Sequence, residues 1–143
     1  MPFDQPVIQV MTENPVTLDV NQKLSVARSL FSEGHIHHLP VVEDRKLVGI
    51  ISSNDVIKLS MLHDDDGSLD EFLDRQYAVA KVMQRNPVSV GIDATVREAA
   101  RILAAGSFNG LPVVGYNNLL KGIVTSTDLI ELLLEKLPQT VDA

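Results

Sequence analysis

The chain has 143 residues, 45% of them hydrophobic and 22% charged, with a net charge of −7 and a pI near 4.9. That apolar content is globular rather than disordered, and the length allows one ordinary domain or two minimal ones sharing a core. The acidic balance argues against nucleic acid or an anionic membrane as principal partner, and the absence of cysteine excludes disulfides and thiolate chemistry. Aromatics make up only 4%, so the core must be aliphatic. The opening MPFDQPVIQV lacks the basic-then-apolar order of a signal peptide, and no apolar run approaches the ~18 residues of a membrane span, so a cytoplasmic protein is expected.

In chain order, VMTENPVTL (10–18) predicts a short extended segment, because a residue before proline avoids right-handed helical angles. An amphipathic helix follows, with Leu24, Ala27, Leu30 and Phe31 at helical spacing, Asn21 as a candidate cap and Gly34 as a left-handed terminator. Leu39-Pro-Val-Val42 and LVGII (47–51) then form a strand pair around a polar turn, apolar on both faces and so expected to be covered on both. A second helix carries Val56, Ile57 and Leu59.

The same order then recurs. VMQRNPVSV (82–90) lies 72 positions after VMTENPVTL, and Leu111-Pro-Val-Val114 keeps that offset from its twin. The offset becomes 73 after the polar turn, where EDRK is answered by the longer GYNNL. Copy two carries Val96, Ala99, Ala100 and Leu103 on its first helix, with Asp93 as candidate cap and Gly106 as terminator; Leu129, Ile130, Leu132 and Leu133 mark its second. Each copy is a β-α-β-β-α unit, an α/β arrangement of the α+β sandwich type. Neither copy is large enough to cover both faces of its sheet, so the two are expected to pack together. The expected division is 1–62 for the first repeat, 63–77 for an acidic linker and 78–143 for the second repeat.

The linker stretch HDDDGSLDEFLDRQ (63–76) places Asp64, Asp65 and Asp66 side by side, without the alternation and distal glutamate of an EF-hand. It reads as a solvated connection with a short helix capped by Ser68 and Glu71. Upstream, His35, His37 and His38 precede a strand. His35 and His37 would share a face if extended, two imidazoles of a metal site with no evident third ligand. His37 or His38 could instead contact a phosphate, with a charge that varies with pH.

Two phrases carry the chemistry: GIISSNDV (49–56) and GIVTSTDL (122–129). Ser52 with Asp55, and Thr125 with Asp128, have the spacing of helix capping boxes. The same spacing, at a strand end opening a helix, also suits a ligand: backbone amides face an anion, and a carboxylate accepts ribose hydroxyls. The preceding glycine allows a ligand or a strand to approach the backbone. The residues alone leave both readings open.

The order M-T-x-x-P-V-T, amphipathic helix, L-P-V-V and G-x-x-S/T-x-x-D resembles the cystathionine-β-synthase (CBS) domain, and two in tandem resemble a Bateman module. The resemblance spans about residues 7–60 and 79–135, with nothing attached that resembles a catalytic or transport domain, so a stand-alone module is expected. It implies two repeats about a pseudo-twofold axis and a non-enzymatic regulatory role. It also implies binding of AMP, ADP, ATP, S-adenosylmethionine, NAD or cyclic dinucleotides in clefts between the repeats. Asp55 and Asp128 would hold the ribose; Ser52, Asn54, Thr125 and Thr127 would contact ribose or phosphate. Ile36 and His37, with His38 adjoining, would line the adenine at Asp128, and Phe108 and Asn109 at Asp55. Many members carry Arg or Lys near these positions, where this chain has Asn54, Thr127, His37-His38 and Asn109-Gly110. A triphosphate would then need Mg²⁺ or a dimer mate, which favours a monophosphate or an adenosyl group of low charge. The apolar tail LIELLLEKL (129–137) suggests a partner helix, and the resemblance implies a homodimer through the second helices. The alternatives are a constitutive assembly protein with empty clefts and an enzyme built on the histidines. For the latter the chain offers no nucleophile elbow, no Walker loop and no complete metal set, so no enzyme and no resident metal are expected.

Overall fold

The computed structural model describes residues 4–34, 36–63, 67–106 and 108–138. His35 and the run Asp64–Asp66 lie outside them. The elements in order are β1 (Thr12–Glu13), β2 (Leu18–Asp19), α1 (Leu24–Glu33), β3 (His38–Glu43), β4 (Lys46–Ser52), α2 (Ser53–Ser60), α3 (Leu69–Gln76), α4 (Val79–Val82), β5 (Gln84–Arg85), β6 (Val90–Gly91), α5 (Val96–Ala105), β7 (Gly110–Val114), β8 (Leu120–Thr125) and α6 (Ser126–Lys136). The predicted β-α-β-β-α order appears twice, as β2-α1-β3-β4-α2 and β6-α5-β7-β8-α6. This is a mixed α/β chain of two repeats, each a small sheet with helices.

Contacts divide the chain into two compact units, residues 16–87 and residues 1–15 with 88–143. Their borders fall at the two Asn-Pro steps rather than at the acidic stretch. Asn14 and Asn86 avoid right-handed angles by adopting positive φ, 47° and 48°.

The unit of residues 16–87 has the sheet order β2-β3-β4-β5. The parallel pair β2–β3 is bridged by α1, and β4 pairs antiparallel with β3 and then β5. Asp44 and Arg45, at φ 52° and 66°, make the two-residue turn between β3 and β4. Leu18, Leu24, Ala27, Leu39, Val41, Ile51 and Val56 form the core together with Leu73 and Val79.

Residues 69–76 are therefore packed rather than solvated: Leu73 is fully buried, and Leu69 and Phe72 lean on the same core. Ser68 Oγ does accept the Glu71 amide, at 3.3 Å, as expected of a cap. Asn21 does not cap α1; its amide donates to Asp19 Oδ1, and the position before the helix, Lys23, offers no side-chain acceptor. Asp74 supplies the cap from α3 instead. Its Oδ1 accepts the Ser25 amide at 2.8 Å and its Oδ2 the Ser25 hydroxyl at 2.7 Å, placing a carboxylate at the positive end of α1. Asp74→Ala is expected to cost ~1–2 kcal/mol, the upper part of the usual range for a lost cap, by urea unfolding. A change within ~0.5 kcal/mol, typical of inert surface sites, would contradict that role.

The other unit mirrors this plan, with sheet order β1-β8-β7-β6. Val7, Val90, Ala94, Ala99, Leu103, Leu111, Val113 and Val124 form its core. Its α5 is capped by Thr95, whose Oγ1 accepts the Glu98 amide at 3.1 Å; Asp93, the expected cap, lies too early. Neither Gly34 nor Gly106 is left-handed. Both leave their helices in extended conformation, and a Cβ on Gly106 would stand 2.6 Å from the Phe108 ring.

The repeated glycines are explained by the sheet edges. β5 closes the sheet beside β4, and β1 closes the other beside β8, each preceded by the repeated methionine. A Cβ on Gly49 would run into the Met83 side chain and stand 3.0 Å from the Gln84 carbonyl oxygen; one on Gly122 would stand 2.5 Å from Met11 Sδ and 2.8 Å from the Thr12 oxygen. Of the two uses open to these glycines, close approach of a strand is the one observed. Each edge strand opens one sequence repeat yet completes the sheet built by the other.

Candidate functional site

Both phrases fold identically. β4 ends at Ser52 in extended conformation and α2 begins at Ser53; β8 ends at Thr125 and α6 begins at Ser126. Ser52 Oγ accepts the Asp55 amide at 3.2 Å, while Asp55 Oδ2 accepts the Ser52 amide at 2.9 Å. Thr125 Oγ1 and the Asp128 amide, and Asp128 Oδ2 and the Thr125 amide, repeat this at 3.1 and 2.9 Å. The capping boxes expected from the spacing are both closed.

A helix start leaves four amides without intrahelical partners. Here the box satisfies two, and a third donates backwards: Ser53 to the His37 carbonyl and Ser126 to the Asn109 carbonyl, both at 2.9 Å. Among the described residues only the second helical amide, of Asn54 and of Thr127, has no such partner, and both residues are exposed. Each turn thus presents one uncommitted amide and a half-buried carboxylate whose Oδ1 the cap does not use. That combination suits a hydroxyl-bearing ligand better than a polyanion.

Those backward bonds bring the segment before LPVV against its own turn. Ile36, His37, His38, Ser52, Asn54 and Asp55 gather in one unit, and Phe108, Asn109, Thr125, Thr127 and Asp128 in the other, so within its own unit each segment lies by the aspartate opposite to the one that the resemblance implied for it. Ile36 and Phe108 lean on their respective cores. His37 is exposed, whereas His38 is half-buried opposite Ser52. Burial holds the His38 imidazole below its usual range, neighbouring His37 adds to this, and Asp55 opposes it. Gly110, opposite Thr125, takes the place of His38 in the other unit. Among the described residues no group of three or more His, Asp or Glu side chains is arranged to hold a metal.

The edge-strand methionines were not identified as partners of the glycines from sequence. Their own recurrence, Met11 and Met83 in the repeated phrase, was the signal. The second helices leave apolar side chains outside the cores, as the tail 129–137 suggests. Val56 and Leu132 are buried, but Ile57, Ile130 and Leu133 are not core residues; with Met61, Leu62, Leu134 and Leu137 they remain exposed. Among the described residues no helix is long and apolar enough to cross a membrane.

The CBS domain family model matches residues 7–62 and 79–135. A CBS domain-containing protein of Dictyostelium discoideum is 32% identical over 136 residues, covering 92% of both chains. The chain spans less than half the length of several other relatives. Among solved structures, CBSX2 in complex with AMP superposes with a TM-score of 0.77 at 27% identity, over 92% of this chain and 97% of that one. The CBS domain pair of protein MJ0100 in complex with 5′-methylthioadenosine and S-adenosyl-L-methionine gives 0.77 at 28%, over 93% and 98%.

Proposed function

The chain belongs to the CBS domain family, with two copies of that domain along most of its length, and on that premise we propose that it is a non-enzymatic regulatory module for adenosine-containing ligands. The observation that carries this reading is the twice-built turn. Each aspartate spends one oxygen on its helix cap and leaves the other out of it, on a turn that also carries an uncommitted amide. Asp55 and Asp128 accept ribose hydroxyls; Ser52, Asn54, Thr125 and Thr127 meet ribose or a first phosphate. Backbone groups of Ile36–His37 and Phe108–Asn109 meet the adenine edge, and His38 adjoins. The complexes of CBSX2 with AMP and of the MJ0100 pair with adenosyl compounds support the ligand class. The scarcity of fixed cations supports AMP or an adenosyl ligand over a triphosphate, so Mg²⁺ is not required. The exposed apolar side chains of α2 (Ile57, with Met61 just after it) and of α6 (Ile130, Leu134) support self-association through these helices. A cytoplasmic location and an unidentified regulated partner complete the reading; the ligand moves that partner only through differential affinity for two states.

The test is thermal unfolding against AMP, ADP, ATP, S-adenosylmethionine and NAD, with and without Mg²⁺. A ligand at a hundred times its Kd adds ~2.7 kcal/mol, a rise of several degrees for a chain this size. Asp55→Asn and Asp128→Asn keep a carbonyl acceptor for the cap while removing the charge, and are expected to reduce that rise. The closed capping boxes favour one competing reading, a constitutive assembly protein. It predicts no rise with any ligand, yet ~0.5–2 kcal/mol lost on Asp55→Ala or Asp128→Ala.

A further inference from the structure

We propose that His38 makes the two turns unequal, its protonation favouring a nucleoside monophosphate at the Asp55 turn with no counterpart at the Asp128 turn. The inference rests on the reading that these turns bind adenosine-containing ligands. Around the turn the copies match: both boxes close, and both first helical amides are held by a carbonyl from the preceding segment. Among their differences, one strand position adds a titratable side chain beside the cap. His38 faces Ser52 across β3 and β4, and at the same register Gly110 faces Thr125 across β7 and β8. An imidazole borders one turn where the other has only backbone.

The groups acting on that imidazole are few. His37 lies just before its own strand, α2 contributes Asp55, and β4 contributes the uncharged Ser52; among the described residues these are the charged neighbours that bear on it. Burial, reinforced by His37, keeps His38 neutral near neutral pH without ligand. A phosphate arriving at this turn meets the Asp55 carboxylate and one open amide, a poor place for a dianion. A proton on His38 supplies the missing cation at a half-buried position, where charge is screened less than at the surface. Proton and phosphate then strengthen each other's binding by the same factor. The gain is present at acid pH and is lost as pH rises through the imidazole's value in the complex. Adenosine, with no phosphate, gains nothing from the proton.

Titration calorimetry of the full chain in an Asp128→Ala background tests this, with AMP and adenosine as probes between about pH 5.5 and about pH 8. Affinities are compared with the same protein carrying His38→Gln, so that ionisation of the phosphate itself cancels. The AMP ratio is expected to fall from roughly tenfold at the acid end, the equivalent of one unit of pKa coupling, towards one at the alkaline end. The adenosine ratio is expected to stay flat. His38→Gly, which copies Gly110, should behave as His38→Gln does. AMP binding with a ratio that does not vary with pH overturns the inference and leaves the proposed function standing. Failure of the unaltered chain to bind AMP, adenosine or S-adenosylmethionine at any pH overturns both.

Discussion

A fragment of residues 16–87 is expected to unfold cooperatively on its own, whereas residues 1–62, one whole sequence repeat, are expected to show no cooperative transition. The longer stretch contains every residue of one core, including Leu73 and Val79, together with the β5 edge and the Asp74 cap. The shorter one keeps α1, β3, β4 and α2 but loses those two buried side chains, at ~1.5–3 kcal/mol each. It also loses the partly buried Leu69, Phe72, Tyr77, Val82 and Met83. A domain of this size holds only ~3–5 kcal/mol in reserve, so the deficit exceeds what remains. Urea unfolding followed by circular dichroism decides the matter. A transition for 1–62 as stable as that of 16–87 would show that the edge strand and α3 are decoration.

Gly122→Ala is expected to destabilise by ~1–3 kcal/mol, the usual cost of overpacking, and by more than Gly49→Ala. An alanine in a strand would ordinarily gain ~0.5–1 kcal/mol over glycine from backbone entropy. At Gly122 that gain is outweighed, because the new Cβ meets the Thr12 carbonyl oxygen at 2.8 Å as well as Met11 Sδ at 2.5 Å. The methionine can swing aside, but the backbone of β1 cannot do so without leaving the sheet. At Gly49 the nearest backbone oxygen, of Gln84, is at 3.0 Å, and the closer contacts belong to the flexible Met83. Removing the methionine first should therefore relieve Gly49→Ala in a Met83→Ala background more fully than Gly122→Ala in a Met11→Ala background. Double-mutant cycles measure both couplings. Equal relief in the two pairs would mean that strand approach is not what requires glycine here.

Short-range features were legible because their causes are short-range. The 3.6-residue spacing of Leu24 and Ala27, the runs LPVV and LVGII, and hydroxyl–aspartate pairs three apart each follow from local backbone geometry, and each appears where expected. The capping assignments that failed were local too, but more distant groups displaced them. Asn21 lost α1 to Asp74, 49 residues from the Ser25 it caps, and a nearer Thr95 displaced Asp93. At the site, the aspartates, hydroxyls and histidines were nameable from the repeat. Which of their amides remain uncommitted was not, because the backward bonds from Ser53 and Ser126 run from a helix start to the carbonyl just before β3 or β7, far away in sequence.

By itself, then, the sequence determined that there are two like units, what elements each contains, and which side chains stand at the two turns. Periodicity, repetition and capping chemistry are written in neighbouring residues. Only the tertiary structure decided which sheet each edge strand completes, that the acidic stretch contributes a packed helix, and that methionine and strand occupy the space beside the glycines. Strand pairing such as Thr12 with Ile123 is selected by the total burial and hydrogen bonding of a folded unit, and a dipeptide-long strand carries too little pattern of its own to announce its partner.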